Sequence, residues 1–266
     1  MIVERAPAKL NLALHVRARR PDGYHTLETL FAFVEHGDTI RVAPAEADSF
    51  AVTGPFGGAL AGEGDNLVTR AAAAFRAQFG GGAHAIMLDK HLPVASGIGG
   101  GSADAAATLR ALGRLHGVSG EAMFAIADAL GSDVPACLLG RTAIGRGRGE
   151  QLEPVPGRPG TPALLVNPGV AVSTAEVFRR WDGVDRGPLG GDPLDGRNDL
   201  EAPALEIAPV IGEVLALLSA RRGAMLARMS GSGATCFALF DADADRDAAA
   251  SAIAGHGWWV RPTRLT

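Results

Sequence analysis

Between an apolar strand-like run and an alanine-rich helical run, the chain reads Pro93-Val94-Ala95-Ser96-Gly97-Ile98-Gly99-Gly100-Gly101-Ser102-Ala103, with four glycines in eleven residues. Without Cβ atoms, backbone N–H groups can approach an anion unobstructed. A helix starting near Ser102 would aim its unpaired N–H groups and positive dipole end into the same space. The chemistry that fits is the cradling of phosphate; a flexible linker with Ser102 as an N-cap is the plainer alternative. Two other phosphate loops are excluded by inspection. No GxxxxGK[ST] occurs, and a dinucleotide fingerprint counted from Gly97 and Gly99 needs glycine where Ser102 stands.

Lysine is scarce. Of 25 basic residues only Lys9 and Lys90 are lysine, and Tyr24 is the single tyrosine. A chain that elsewhere uses arginine has reason to keep lysine where a compact ammonium suits the chemistry better than a planar fork. His36, His84 and His91 show no ligand spacing with carboxylates or cysteines, so no protein metal site is expected.

These residues must be positioned by regular elements. Leu10, Leu12, Leu14 and Val16 alternate with Lys9, Asn11, Ala13, His15 and Arg17, which predicts a half-buried strand with Lys9 and Asn11 on one face. Pro21-Asp22-Gly23 makes a turn, a strand runs from Leu27 to Val34, and Gly37-Asp38 is expected to turn the chain into another strand at Thr39 to Val42. Residues 43 to 64 read as strand fragments with loops. Helices are predicted over Asn66 to Phe79, Ala103 to His116, Glu121 to Leu130 and Leu205 to Ala220, with a short one from Asp133-Val134-Pro135. Strands are predicted at His84 to Lys90, Ala163 to Asn167, Ala224 to Met229, Cys236 to Phe240 and Trp258 to Arg261, with a helix from Asp245 to Ala254. Residues 183 to 196 read as loop. The mixture lacks strict βα alternation, which argues for an α+β architecture. The Pro- and Gly-rich stretch from Leu152 to Thr161 marks a boundary between two lobes, 1–154 and 155–266.

The bulk numbers narrow the class. The 266 residues are 47% apolar with a net charge of −4, an ordinary globular composition with no polybasic signature for nucleic acid or membrane. No apolar run approaches the roughly 20 residues that cross a bilayer, and the N-terminal residues do not read as a signal peptide. Cys137 and Cys236 read as buried free thiols of a reducing cytoplasm. No heptad or large apolar stripe assigns an oligomeric state.

The glycine loop matches the second motif of the GHMP kinase superfamily, Pro-x(3)-Gly-Leu/Ile-Gly-Gly-Gly-Ser-Ser/Ala. Ala6-Pro7-Ala8-Lys9-Leu10-Asn11-Leu12 resembles its first motif and Met229-Ser230-Gly231-Ser232-Gly233-Ala234-Thr235 its third. Within the superfamily, Arg20-Pro21-Asp22-Gly23-Tyr24-His25-Thr26-Leu27, Gly131-Ser132-Asp133-Val134-Pro135 and Arg197-Asn198-Asp199-Leu200 are similar to one branch. That branch phosphorylates the 2-hydroxyl of a cytidylated sugar alcohol in non-mevalonate isoprenoid synthesis.

The resemblance implies a two-lobed GHMP kinase fold with an N-terminal ribosomal-S5-like lobe and a C-terminal ferredoxin-like lobe, with ATP and substrate bound in the cleft between them. It implies ATP on residues Pro93 to Ala103, with Mg²⁺ arriving on the nucleotide and Ser102 in reach of it. Lys9 and Asp133 map onto the family's catalytic pair. A carboxylate can accept the hydroxyl proton, and an ammonium can stabilise the developing oxyanion; Asp133 could equally be an N-cap and Lys9 a solvated strand lysine. Tyr24 and His25 correspond to cytosine contacts, with Phe178 as a second stacking face or a core residue. Asn11 and Thr174 correspond to polar substrate contacts. Arg146 and Arg148 could reach phosphates or form an exposed basic loop, and Asn66 could edge the adenine or cap its helix. Asp104, which would repel phosphate, reads as a first-turn acid favoured by the helix dipole. The rival readings are a homoserine, mevalonate or galactose-type kinase, and a nucleotide-binding protein without turnover.

Overall fold

The computed structural model describes residues 1–60, 65–190 and 192–266. Residues 61–64, at the end of the predicted strand-and-loop stretch, and Gly191, in the predicted loop 183 to 196, lie outside the described residues. In chain order the elements are β1 (Ile2–Arg19), β2 (His25–Ala45), β3 (Ser49–Thr53), α1 (Leu67–Phe79), β4 (Ala83–Asp89), α2 (Gly100–His116), α3 (Phe124–Leu130) and α4 (Val134–Leu139). Then follow β5 (Ala143–Gly147), β6 (Gln151–Pro154), β7 (Pro162–Asn167), α5 (Thr174–Arg180), α6 (Glu201–Ile207), α7 (Val210–Ser219), β8 (Ala224–Met229), β9 (Cys236–Phe240), α8 (Asp243–Ile253) and β10 (Trp259–Arg264).

Two compact units interleave along the chain. One holds Met1–Ala8, Gly37–Val94 and Gly99–Gly140; the other holds Lys9–His36, Ala95–Ile98 and Arg141–Thr266. The position 154/155 falls inside the second unit.

In the first unit, the C-terminal half of β2 pairs antiparallel with β4 from Thr39↔Asp89 to Ala45↔Ala83, and β3 pairs parallel with β4. Gly37 does not turn the chain, as the sequence had implied; β2 runs through it without interruption. A Cβ there would stand 2.3 Å from the Ala6 carbonyl oxygen, so glycine serves close strand approach. Helix α1 begins with a capping box in which the Asn66 side chain accepts from the Val68 and Thr69 N–H groups, which stabilises a helix start by about 1 kcal/mol. The inward face of α2 is largely alanine, from Ala103 through Ala111, with Leu109 and Leu112.

The second unit contains an antiparallel sheet in the order β10-β7-β9-β8. With α5 to α7 between β7 and β8, and α8 between β9 and β10, this is the ferredoxin-like arrangement. Its core gathers Leu164, Val166, Phe240, Val214 and Ile253 with Leu14 and Val16 of β1. The predicted helix from Leu205 to Ala220 is two helices, because Pro209 interrupts the pattern between α6 and α7.

β1 differs from expectation in a way that matters for chemistry. Every residue from Ala8 to Val16 is buried, including Lys9, Asn11 and His15. The strand is not half-solvated, so its polar side chains must be satisfied inside the protein.

Candidate active site

Within the second unit, the segment Ala95–Ile98 is held by its carbonyl groups. The Lys9 N–H donates to Ile98 O (3.0 Å), the Thr235 N–H to Ser96 O (3.1 Å) and Ser230 Oγ to Gly97 O (3.1 Å). Gly97 has φ +79°, and a Cβ there would lie 2.6 Å from both the Ser230 and Gly233 carbonyl oxygens. No other residue fits. The first motif, this part of the loop and the third motif therefore form one hydrogen-bonded assembly.

In the first unit, α2 starts at Gly100 and not near Ser102. Gly99, left-handed at φ 64°, occupies the N-cap position and makes no side-chain cap. The first helical bond runs from Ala103 N–H to Gly99 O. The opening N–H groups thus have no capping side chain, as an anion-binding helix end requires. The earlier start also moves Asp104 out of the first turn. Its carboxyl group is buried and bonded to Lys90 Nζ at 2.6 Å, which overturns its reading as a first-turn acid favoured by the dipole.

Lys9 projects into a compact polar network. Its Nζ donates to Asn11 Oδ1 (2.8 Å) and lies 5.4 Å from the centre of the Phe31 ring. Asn11 Nδ2 donates to Thr29 Oγ1 (2.8 Å), which donates on to Ala13 O (2.7 Å). The Asn11 N–H donates to Ser230 Oγ (3.2 Å), the same hydroxyl that secures Gly97. The solvated-strand reading of Lys9 fails, since the residue is 2% exposed. Thr29 and Phe31 were not singled out from sequence; they face Lys9 and Asn11 from β2, a pairing that adjacent-strand register alone could reveal.

His25 packs against Phe178 with ring centres 4.9 Å apart and planes tilted by 35°, and meets Trp181 edge-on at 5.7 Å. Burial, with the Arg19 charge adding to it, lowers the His25 pKa and keeps the imidazole neutral. Its Nε2 is buried without a hydrogen-bond partner among the described atoms. The neighbouring Tyr24 ring is 51% exposed, with the Arg148 guanidinium 5.0 Å from its centre. Thr174 Oγ1 lies 2.8 Å from Ser232 Oγ of the third motif. Arg146 pairs with Glu153 on an exposed hairpin.

Asp133, in the first unit, occupies the N-cap position of α4 but makes no side-chain capping bond. The helix-cap explanation of this carboxylate loses its footing. The Arg197-Asn198-Asp199-Leu200 segment has a role that sequence reasoning missed. Asn198 Nδ2 donates to Met229 O and Gly231 O, both at 2.8 Å, and Asp199 Oδ2 accepts the Val16 N–H. It splints the third motif and β1 together. Among the described residues no group of three or more His, Cys, Asp or Glu side chains could hold a metal ion, and no helix is long and apolar enough to cross a membrane.

Two family models match the chain, GHMP kinases N terminal domain over residues 66–141 and GHMP kinases C terminal over residues 190–257. The chain is 57% identical to a 4-diphosphocytidyl-2-C-methyl-D-erythritol kinase of Rhizorhabdus wittichii, over 98% of this chain and 94% of that protein. It belongs to that family of GHMP kinases. A relative of the same name from Novosphingobium aromaticivorans is 53% identical, covering 97% of this chain and 90% of its own. A crystal structure of 4-(cytidine 5'-diphospho)-2C-methyl-D-erythritol kinase superposes with a TM-score of 0.83 at 36% identity, covering 99% of both chains. A homoserine kinase from Cytophaga hutchinsonii shares the fold, with a TM-score of 0.74 at 19% identity over 99% of this chain and 93% of that one. The α+β fold of the GHMP kinases, expected from the three motifs, is the fold of this family member.

Proposed function

We propose that the chain transfers the γ-phosphoryl group of ATP to the 2-hydroxyl of 4-diphosphocytidyl-2-C-methyl-D-erythritol, giving the 2-phosphate and ADP in non-mevalonate isoprenoid synthesis. Residues Pro93 to Ala103 cradle the phosphates. Mg²⁺ comes with ATP and supplies charge neutralisation on the phosphates. Asp133 takes the proton of the attacking hydroxyl as the new O–P bond forms and the bond to ADP breaks. The Lys9 ammonium stabilises the oxygen that is losing that proton. Asn11 and Thr174 hold the sugar alcohol, and Tyr24, His25 and Phe178 hold the cytosine.

The observation that carries this reading is His25. A neutral imidazole is fixed between aromatic rings with a buried, unpartnered Nε2, beside the exposed ring of Tyr24. Stacking surface plus one polar atom is what reading a single base requires, and homoserine and mevalonate carry no base. The two lobes are 1–154, within which the N-terminal family model falls, and 155–266, within which the C-terminal one falls. The buried thiols Cys137 and Cys236, neither in a disulfide, support a reducing, cytoplasmic setting.

Incubation with Mg-ATP and a panel of alcohols tests the reading, with ³¹P NMR following the product. Phosphate should appear on the cytidylated erythritol alone. Turnover of homoserine or mevalonate without it would overturn the assignment.

A further inference from the structure

Lys90 has no part in the transfer just described, yet it is as deeply buried as Lys9. It follows β4 directly, and its Nζ donates to Asp38 Oδ2 and to Asp104 Oδ2, both at 2.6 Å. All three side chains are 2% exposed or less. The ammonium lies beneath the first turn of α2, 3.1 Å from where a Cβ on Gly100 would stand. Two carboxylates share one cation, so full ionisation would leave a net negative charge buried behind the helix end assigned to phosphate.

The two carboxylates are not equivalent. Asp38 accepts from Lys90 with one oxygen and from the His91 and Leu92 N–H groups with the other. Both of its oxygens are thereby satisfied. Asp104 accepts from Lys90 alone, and its buried Oδ1 has no hydrogen-bond partner among the described atoms. An ionised oxygen left bare in that position is the costlier state. The proton that balances the cluster therefore belongs on Asp104.

We propose that Asp104 is held as the neutral acid in the working protein, so that Lys90, Asp38 and Asp104 form a charge-balanced base behind the phosphate-binding turn, and that its ionisation weakens nucleotide binding. Burial pushes the Asp104 carboxyl up to about 8, with Asp38 adding to the rise and Lys90 opposing it. These are the ionisable groups that face it, one from β2 and one from the end of β4. Burial alone would lower Lys90, but Asp104 and Asp38 together hold it above its ordinary value, so the ammonium stays charged as Asp104 titrates. Asp104 is thus a positioning and charge-setting residue, not a catalytic one. The nucleotide half of the proposal rests on the kinase reading above.

Two measurements separate the parts. A carbon NMR titration of the aspartate carboxyls, with the Asp104 signal identified by its absence in Asp104→Asn, should find Asp104 protonated at neutral pH and ionising near the alkaline end of the range. Calorimetry should then find the Kd for Mg-ATP rising roughly three- to tenfold from about pH 7 to about pH 9 in the wild type, and by less than about twofold in Asp104→Asn. An Asp104 signal already ionised at neutral pH would overturn the proposal, as would the same pH profile in both proteins. A wild type that binds no ATP at any pH would instead sink the kinase reading, and the NMR titration would still decide the protonation of Asp104.

Discussion

The two lysines of this chain are buried to the same extent, yet their surroundings differ in kind. Lys9 donates to a neutral amide oxygen and lies over an aromatic face. Lys90 is clamped by two aspartate carboxyl groups at 2.6 Å, and its charge is consumed by the fold. Through Asn11 and Ser230, Lys9 is linked to the glycine loop, whereas Lys90 is bonded to the acids beneath α2. Equal burial hides unlike surroundings.

The largest effect should come from Lys9. Lys9→Met is expected to lower kcat by about 10³-fold or more. Lys9→Arg should not restore the rate, because a planar fork does not fill the place of a compact ammonium. A Lys9→Met protein retaining a tenth of its activity would erase the distinction between the two sites.

Lys90→Met should do the reverse. It leaves the buried Asp38 carboxylate without its cation, and breaking such a pair from one side costs about 3–5 kcal/mol. Urea unfolding reads this directly. Combining Lys90→Met with Asp38→Asn and Asp104→Asn should recover much of the loss, because no charge is then left uncompensated. A Lys90→Met protein as stable as the wild type would mean that Lys90 is no clamp.

The sequence singled out Lys9 and left the surroundings of Lys90 hidden. Motif spacing marked the loop, Lys9, Asp133 and the Tyr24-His25 turn as site candidates, because a motif is local in the chain. Partners brought together by long-range pairing were illegible: Thr29 under Asn11, Asn198 on the third motif, and Asp38 and Asp104 on Lys90. Asp104 was misread as a first-turn acid because the helix starts at Gly100, a few residues earlier than expected, which puts it in the second turn. The alternation in β1 revealed a strand but not the burial of both its faces, since alternation reports side-chain direction and not what covers it. The break at Pro209 was legible in principle, and apolar periodicity on both sides outweighed it.

Asn198 offers a smaller effect on the Lys9 side of the comparison. Asn198→Ala strips the donors from Met229 O and Gly231 O inside the protein, which should cost about 1–3 kcal/mol. Those bonds are neutral, so the loss should be insensitive to added salt. A loss that disappears in high salt would place the segment's contribution in the charges of Arg197 and Asp199 and not in the amide.

The smallest expected effect is a pH dependence at His15, on the same face of β1 as Lys9. The ring is clamped at both nitrogens: Nδ1 lies 3.0 Å from Gly187 O, and Nε2 accepts the Arg197 N–H at 3.1 Å. A carbonyl can only accept and an amide N–H can only donate, so the proton sits on Nδ1 and Nε2 is bare. Burial lowers the His15 pKa, reinforced by the Arg197 charge and opposed by the bond to Gly187 and by Asp199. The unfolded chain therefore takes up a proton near its ordinary value of about 6.5 while the folded one still resists. The contribution of His15 to stability is complete above about pH 6.5 and is lost as pH falls through the lowered folded value. His15→Gln can keep both bonds, an amide N–H to Gly187 and an amide oxygen for Arg197, without titrating. Its melting temperature should fall less steeply than that of the wild type between about pH 7 and pH 5. Because His25 and His84, also lowered by burial, are present in both proteins, the difference in slope belongs to His15, and parallel curves would show that the clamp does not govern its titration.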